Sequence, residues 1–255
     1  MIWDRDISIK NASEIALMRE AGRVNHEALL AVRELLQPGI TTADLNAAAE
    51  EILRKHGAFS PFLNYGHPPF PASICVSINE QLVHGIPGKR KLLEGDIVSV
   101  DCGTVLEGFV GDSAFTAGVG EIPPLARALI EVTEQALLVG IAMMRAGNTT
   151  GDVSAAIQQY VEAQGFNVVR EYTGHGVGRK MHEGPQVPNY GNPGTGVPLR
   201  PGMTIALEPM VVVGTSRTRV LPNQWTVVSA DGSLTAHQEH SVAITKGDPL
   251  ILTGP

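Results

Sequence analysis

Four carboxylates and a group of turn histidines are the residues of this 255-residue chain whose types and spacing suggest chemistry. Asp101 and Glu208 each close a nearly apolar run, Ile97-Val98-Ser99-Val100-Asp101 and Thr204-Ile205-Ala206-Leu207-Glu208. Asp112 and Glu239 lie on further strand-like segments beside tight turns. A carboxylate on a buried strand is costly unless a cation or hydrogen bonds compensate its charge. No Lys or Arg inside these motifs offers a pairing for all four acids. Two divalent cations do, and one acid or two bridging them sets paired ions ~3.5–4 Å apart. With His175 the donor set is hard oxygen plus one nitrogen, which disfavours a closed structural zinc site and suits Mn, Fe, Co or catalytic Zn. Such a pair acidifies bound water and supplies a nucleophile without Ser or Cys. Neither Cys75 nor Cys102 has a His partner in a local motif, and there is no G-x-S-x-G elbow or P-loop.

The eight histidines divide by context. His84, His175 and His182 sit in Gly- or Pro-rich turns, where a backbone can approach a ligand closely. His26, His56, His67 and His237 have no partner pattern and read as surface or loop residues. His240 adjoins Glu239 and reads as tuning it from outside the ligand set.

The elements that must hold these residues show an internal repeat. At a shift of 108 positions Ala28-Leu29-Leu30 matches Ala136-Leu137-Leu138, Gly39 matches Gly147, and Thr41-Thr42-x-Asp44 matches Thr149-Thr150-x-Asp152. Gly57 and Gly165 follow in the same register. Each copy predicts helix, turn, helix, with a capping box at Thr41 or Thr149. The strands echo too, since Glu94 through Asp101 resembles Pro201 through Glu208 at a shift of 107 (208 − 101), and His84-Gly85-Ile86 parallels His175-Gly176-Val177. A pseudo-symmetric α/β fold with its site at the seam is expected. The shift is too long for a solenoid, whose repeats run ~20–50 residues. Residues 108–116 are expected as a strand, and 225–228 and 239–244 as strands flanking a hairpin turn at Asp231-Gly232. The Gly- and Pro-rich stretch 185–201 reads as a surface loop.

Composition narrows the class. A hydrophobic content of 43% and a charged content of 18% belong to a globular protein. The net charge of -7 is a poor match for phosphate backbones, so no nucleic-acid partner is expected, and Lys89-Arg90-Lys91 reads as a solvated loop. The opening Met1–Asp6 carries no apolar targeting segment, and no run approaches the ~18 apolar residues of a spanning helix. Two cysteines without a disulfide pattern suit a reducing cytoplasm.

Taken together, several motifs resemble one family. They are Asn79-Glu80-x-x-Val83-His84-Gly85-Ile86-Pro87, the Asp101 and Asp112 pair, Gly174-His175-Gly176-Val177-Gly178-Arg179-x-x-His182-Glu183-x-Pro185, Glu208-Pro209, and Trp225-Thr226 through Glu239-His240. The chain is similar to the type I methionine aminopeptidases from about Ser13 to Leu252. That resemblance implies an α/β (α+β) pita-bread fold, with residues 1–255 as one catalytic domain repeating over roughly 14–118 and 124–245. It implies an antiparallel sheet and outer helices around a site for two divalent ions (Co, Mn, Fe or Zn). Asp101 resembles a ligand of one ion, His175 of the other, and Asp112 and Glu239 the bridging carboxylates. Glu208 resembles a ligand that also accepts the water's proton. His182 resembles the histidine on the scissile carbonyl, and His84 the one at the peptide nitrogen.

Cys75, Trp225, Phe70 and Tyr65 resemble the wall of a methionine pocket, with Met181 where the family often has Phe and Phe70 where Tyr is common. The implied substrate is the N-terminal Met of a nascent polypeptide whose second residue is small, cut by a cytoplasmic monomer at the ribosome. Only 26 positions (208 − 182) separate His182 from Glu208, which leaves no room for the helical insertion of type II enzymes. With no cysteine-rich extension before the domain, the short bacterial-style form is expected. The rivals are an Xaa-Pro peptidase or creatinase-like enzyme, which usually carries an extra N-terminal domain, and an inactive binding module. Such inactive relatives tend to lose ligands, and all five positions are filled here.

Overall fold

A computed structural model describes residues 6–254. The targeting-signal reading of the first residues therefore lies largely outside the described part. Among the described residues no helix is long and apolar enough to cross a membrane.

Helices α1 (Ala12–Glu34) and α2 (Thr42–Lys55) lead into strands β1 (Ile74–Ile78), β2 (Gln81–Val83), β3 (Ile97–Leu106) and β4 (Phe109–Gly118). Helices α3 (Pro124–Met143) and α4 (Thr150–Ala163) open the second half. They precede β5 (Asn167–Val168), β6 (Thr173–Gly176), β7 (Glu183–Pro188), β8 (Thr204–Leu207) and β9 (Met210–Val212). Strands β10 (Thr218–Val220), β11 (Val227–Ser229), β12 (Thr235–His237), β13 (Glu239–Ala243) and β14 (Leu250–Ile251) follow.

The repeat is present in the helices. α2 and α4 start at Thr42 and Thr150, and each opens on a two-way capping box. Thr41 Oγ1 accepts from Asp44 N at 3.2 Å while Asp44 Oδ2 accepts from Thr41 N at 3.0 Å. Thr149 and Asp152 make the same pair at 3.3 and 2.7 Å. Gly57 and Gly165 follow the two helices at φ of +68° and +83°, a left-handed conformation that glycine adopts without a Cβ penalty.

Each helix pair covers one half of the same sheet. Val24, Ala28 and Val32 of α1 and Leu45, Ala49 and Leu53 of α2 bury their side chains over Val76, Val98 and Val100. In the second half Leu129, Ala136 and Ile141 of α3 and Ile157 and Val161 of α4 pack over Ile205, Leu207 and Val242. Full burial of a Val, Leu or Ile stabilises the fold by about 1.5–3 kcal/mol, so this layer dominates the fold's stability. Where α1 crosses β4 the approach is backbone to backbone: a Cβ at Gly111 would lie 2.7 Å from Gly22 N.

The sheet has eight strands in the order β1-β3-β4-β13-β8-β6-β7, with β14 on β13, and all pairs are antiparallel. One face is under the helices and the other is left for the site.

Three expectations change. Asp101 stands inside a ten-residue strand instead of closing one, whereas Asp112 lies within β4 as expected. Residues 185–188 belong to β7 and pair with β6, so the loop begins only after Pro188. The Asp231-Gly232 turn joins β11 and β12, which do not pair with each other. β11 pairs with β10 and β2, and β12 with β9. Asp231 is the physical reason: its oxygens accept from Ser233 N at 3.1 Å and Thr215 N at 2.7 Å, which anchors a corner rather than a hairpin.

Candidate metal centre

Strand alternation puts the acids on one face. Cys75 is the register partner of Asp101, Asp101 of Ala114, and Ala114 of Glu239. Directly paired residues share a face, as do residues two apart on a strand. Asp112, two residues from Ala114, therefore joins Cys75, Asp101 and Glu239 on the face away from the helices. Ser241, two residues beyond Glu239, pairs with Ala206, and Ala206 pairs with His175. Glu208 stands two beyond Ala206, just past the end of β8. The site is thus a single face spanning both halves of the repeat.

These side chains line a cavity of about 370 Å³. Asp112 and Glu239 are buried, while Asp101 and Glu208 open onto the cavity. His175 Nε2 lies 3.5 Å from Glu208 Oε1 and 3.8 Å from Asp112 Oδ2. One ligand-type atom each from Asp112, His175 and Glu239 falls within 4.8 Å of the others.

The electrostatics call for a cation. Burial pushes Asp101 up to about 7, with His237 opposing and Glu208 adding to the rise. Asp112, Glu208 and Glu239 are held well above the usual carboxylate range by burial, and like charges in the group add to this for Asp112 and Glu239. Four acids crowded together cannot all ionise unless positive charge joins them. Asp101 Oδ1, Asp112 Oδ1, Glu239 Oε1 and His237 Nε2 are buried without a hydrogen-bond partner. Buried polar atoms are ordinarily satisfied, so this donor-free set of lone pairs fits divalent ions. The imidazoles suit that reading: burial lowers His175 to about 3, with His182 adding to the shift, which leaves its ring neutral and able to ligate. His175 Nδ1 meets Gly176 O at 3.0 Å, a contact that points Nε2 at the acids.

Around the acids stand the remaining residues singled out from the sequence, and all of them line the same cavity. The His182 ring lies 4.3 Å from that of His175, centroid to centroid. Tyr65 was expected as pocket wall. It does line the cavity, and its hydroxyl also meets His182 Nδ1 at 3.1 Å. His84 adopts φ of +58°, a strained conformation for a non-glycine residue of the kind that gathers at functional sites. Burial first, then His237 and His182, lower it to about 4. Phe70 meets Trp225 edge to face at 5.2 Å, and Trp225 Nε1 donates to Pro68 O at 2.9 Å. Cys75 and Phe70 are buried beside them, and Met181 completes an apolar side to the cavity.

Two histidine readings are corrected. His237, expected at the surface, is 1% exposed, with Nε2 3.5 Å from Glu208 Oε2 and 3.8 Å from Glu239 Oε2. The available signal was its spacing of two from Glu239, which on an extended chain selects the same face. His240, expected to tune Glu239, has the opposite parity and pairs in register with Ser113 and Leu207 on the helix side of the sheet. Its Nδ1 meets Thr253 Oγ1 at 2.9 Å. Phe62, Tyr172 and Met210 also line the cavity, and nothing in their spacing marked them.

Comparison with known proteins agrees with this geometry. The model of metallopeptidase family M24 matches residues 16–246. A methionine aminopeptidase of Clostridium perfringens is 51% identical over 248 residues, covering 97% of this chain and 98% of the relative. The crystal structure of methionine aminopeptidase from Thermotoga maritima superposes with a TM-score of 0.95 at 48% identity, over 98% of this chain and 100% of that one. A prolidase from Pyrococcus horikoshii shares the fold at a TM-score of 0.76 and 21% identity, over 99% of this chain and 65% of its own.

Proposed function

The chain belongs to metallopeptidase family M24 and is a metal-dependent aminopeptidase, and we propose that it releases the N-terminal methionine of nascent polypeptides whose second residue is small. The observation that carries this reading is the donor-free carboxylate face opposite neutral His175. Asp101, Asp112, His175, Glu208 and Glu239 are the residues that would hold two divalent ions. Bound there, the ions supply Lewis acidity and an acidified water.

The protein's own groups do the rest. The apolar side formed by Phe70, Cys75, Met181 and Trp225 takes the methionine side chain, whose polarizable thioether suits sulfur and aromatic neighbours. His182 donates from Nε2 to the scissile carbonyl oxygen as negative charge builds there. Such a donor stabilises charge present only in the transition state. His84 faces the nitrogen of the bond being cut. Glu208, ionised once cations share the site, takes the water's proton and delivers it to the departing amine. The residues act as one catalytic domain, which works in the cytoplasm as a monomer on chains leaving the ribosome.

Hydrolysis of Met-Ala-Ser by purified protein tests the proposal. Methionine release that stops on chelation and returns with Mn, Co or Fe is the expected result. No release from Met-Ala-Ser under any of these metals, or faster cleavage of an Ala-Pro peptide, overturns it.

A further inference from the structure

The turn that carries Met181 and His182 is held by a carboxylate that the chemistry above does not use. Glu183 is buried, and each of its oxygens is claimed twice. Oε1 accepts from the backbone N–H of Arg179 at 2.9 Å and of Lys180 at 3.2 Å. Oε2 accepts from the hydroxyl of Ser8 and from the ammonium of Lys10, the latter at 2.6 Å. Lys10 is itself buried and packs directly beneath the turn, where a Cβ on Gly178 would lie 2.5 Å from its Nζ. The backbone fixes the same arm at both ends. Gly184 N donates to Asp6 O at 3.0 Å, and Lys10 N to Gly202 O at 2.8 Å. Residues 6–10 therefore run as a strap between the 178–184 turn and the Gly202 corner.

A buried ion pair is a poor source of net stability, because desolvating two charges offsets most of their attraction. Its defined product is geometry. Two turn N–H groups and two N-terminal donors converge on one carboxylate, which is bonded through the chain to the residue after His182. We infer that Ser8, Lys10 and Glu183 form a positioning device for His182, fixing where its imidazole meets the substrate carbonyl. This rests on the reading of His182 as the carbonyl donor. Misplacing a catalytic group by about 1 Å can cost ~10²-fold in rate. The loss falls on kcat, since the His182 contact strengthens in the transition state.

The test uses metal-loaded full-length enzyme. Ser8→Ala and Glu183→Gln are each made with His182 intact and in a His182→Ala background. Reads are kcat and KM on Met-Ala-Ser, bound metal and thermal midpoint. With His182 intact, each variant lowers kcat on the order of 10-fold, with KM within about 3-fold and bound metal unchanged. In the His182→Ala background neither lowers kcat further, because the group they orient is gone. Equal fold losses in both backgrounds, loss of metal along with rate, or an unchanged kcat in the folded variants overturns the inference. Ser8→Ala decides the matter if Glu183→Gln fails to fold. Full kcat in His182→Ala alone refutes instead the role given to His182, which keeps the two failures apart.

Discussion

Nε2 of His237 lies 3.5 Å from Oε2 of Glu208, inside the carboxylate face and not at the surface. Among the described residues His237 Nε2 has no hydrogen-bond partner of its own, so it is the group placed to orient Glu208 in the proposed ligand and proton-transfer role. Groups that orient ligands in this way typically contribute 10–100-fold in metal affinity or activity. His237→Leu is expected to weaken metal binding by about 10-fold or more, read by titrating the chelated protein. Unaltered affinity and rate in that variant would leave His237 a packing residue.

Tyr65 acts on His182 at the other side of the cavity. The Tyr65 hydroxyl meets Nδ1 of His182 at 3.1 Å, and the tautomer with the proton on Nε2, which a donor to the carbonyl needs, is the one in which that hydroxyl donates. Tyr65→Phe is expected to lower kcat on the order of 10-fold, less than the 10²–10³-fold predicted for His182→Ala, with metal retained in both. A Tyr65→Phe enzyme with normal kcat would mean that another contact sets the tautomer.

The helical repeat was legible because capping boxes and C-terminal glycines are local signals: Thr41-Asp44 and Thr149-Asp152 form as read. The residues of the site were legible for a different reason, since acids and turn histidines stand out against apolar runs. What local pattern could not supply was strand pairing. The Asp231-Gly232 turn looks like a hairpin until Asp231 is seen anchoring Thr215, sixteen residues away. The same gap exchanged the roles of His237 and His240. Which of two nearby histidines faces the acids depends on the parity of β13, and that parity is fixed by pairing with β4 and β8.

Selectivity follows from the apolar side of the cavity, where Phe70 meets Trp225 edge to face. An apolar slot discriminates by size and desolvation, and one methylene is worth only ~1–3 kcal/mol, so norleucine peptides are cleaved appreciably. On the proposed reading the next residue passes the acids and His84, so small side chains are expected to be accepted there and long ones refused. Steady-state kinetics are expected to give Met-Ala-Ser a kcat/KM at least ~10²-fold above that of Met-Lys-Ser. Equal values would remove the small-second-residue rule while leaving the hydrolytic chemistry in place.

His240 predicts a pH effect on stability from the helix side of the sheet. Burial, with His26 adding, lowers it from 6.5 to about 4. The unfolded chain then takes up this proton near 6.5 and the folded chain only near 4, so the contribution is present above 6.5 and is lost as pH falls between the two. Of this, on the order of 2 kcal/mol is lost by pH 5. Unfolding of chelated wild type and His240→Asn, compared at pH 7.5 and 5, should show a smaller loss on acidification in the variant by about that amount. Identical losses would show that His240 does not titrate differently in the two states.

Whether the carboxylate face takes two ions is decided by metal titration of the chelated protein. Calorimetry with Mn is expected to saturate at two ions per chain, with methionine release returning over the same additions. Asp112→Ala and Glu239→Ala should lose binding and rate together, because each acid is proposed as a ligand shared by both ions. Full activity in protein shown to be metal-free, or undiminished binding in Glu239→Ala, would contradict the account.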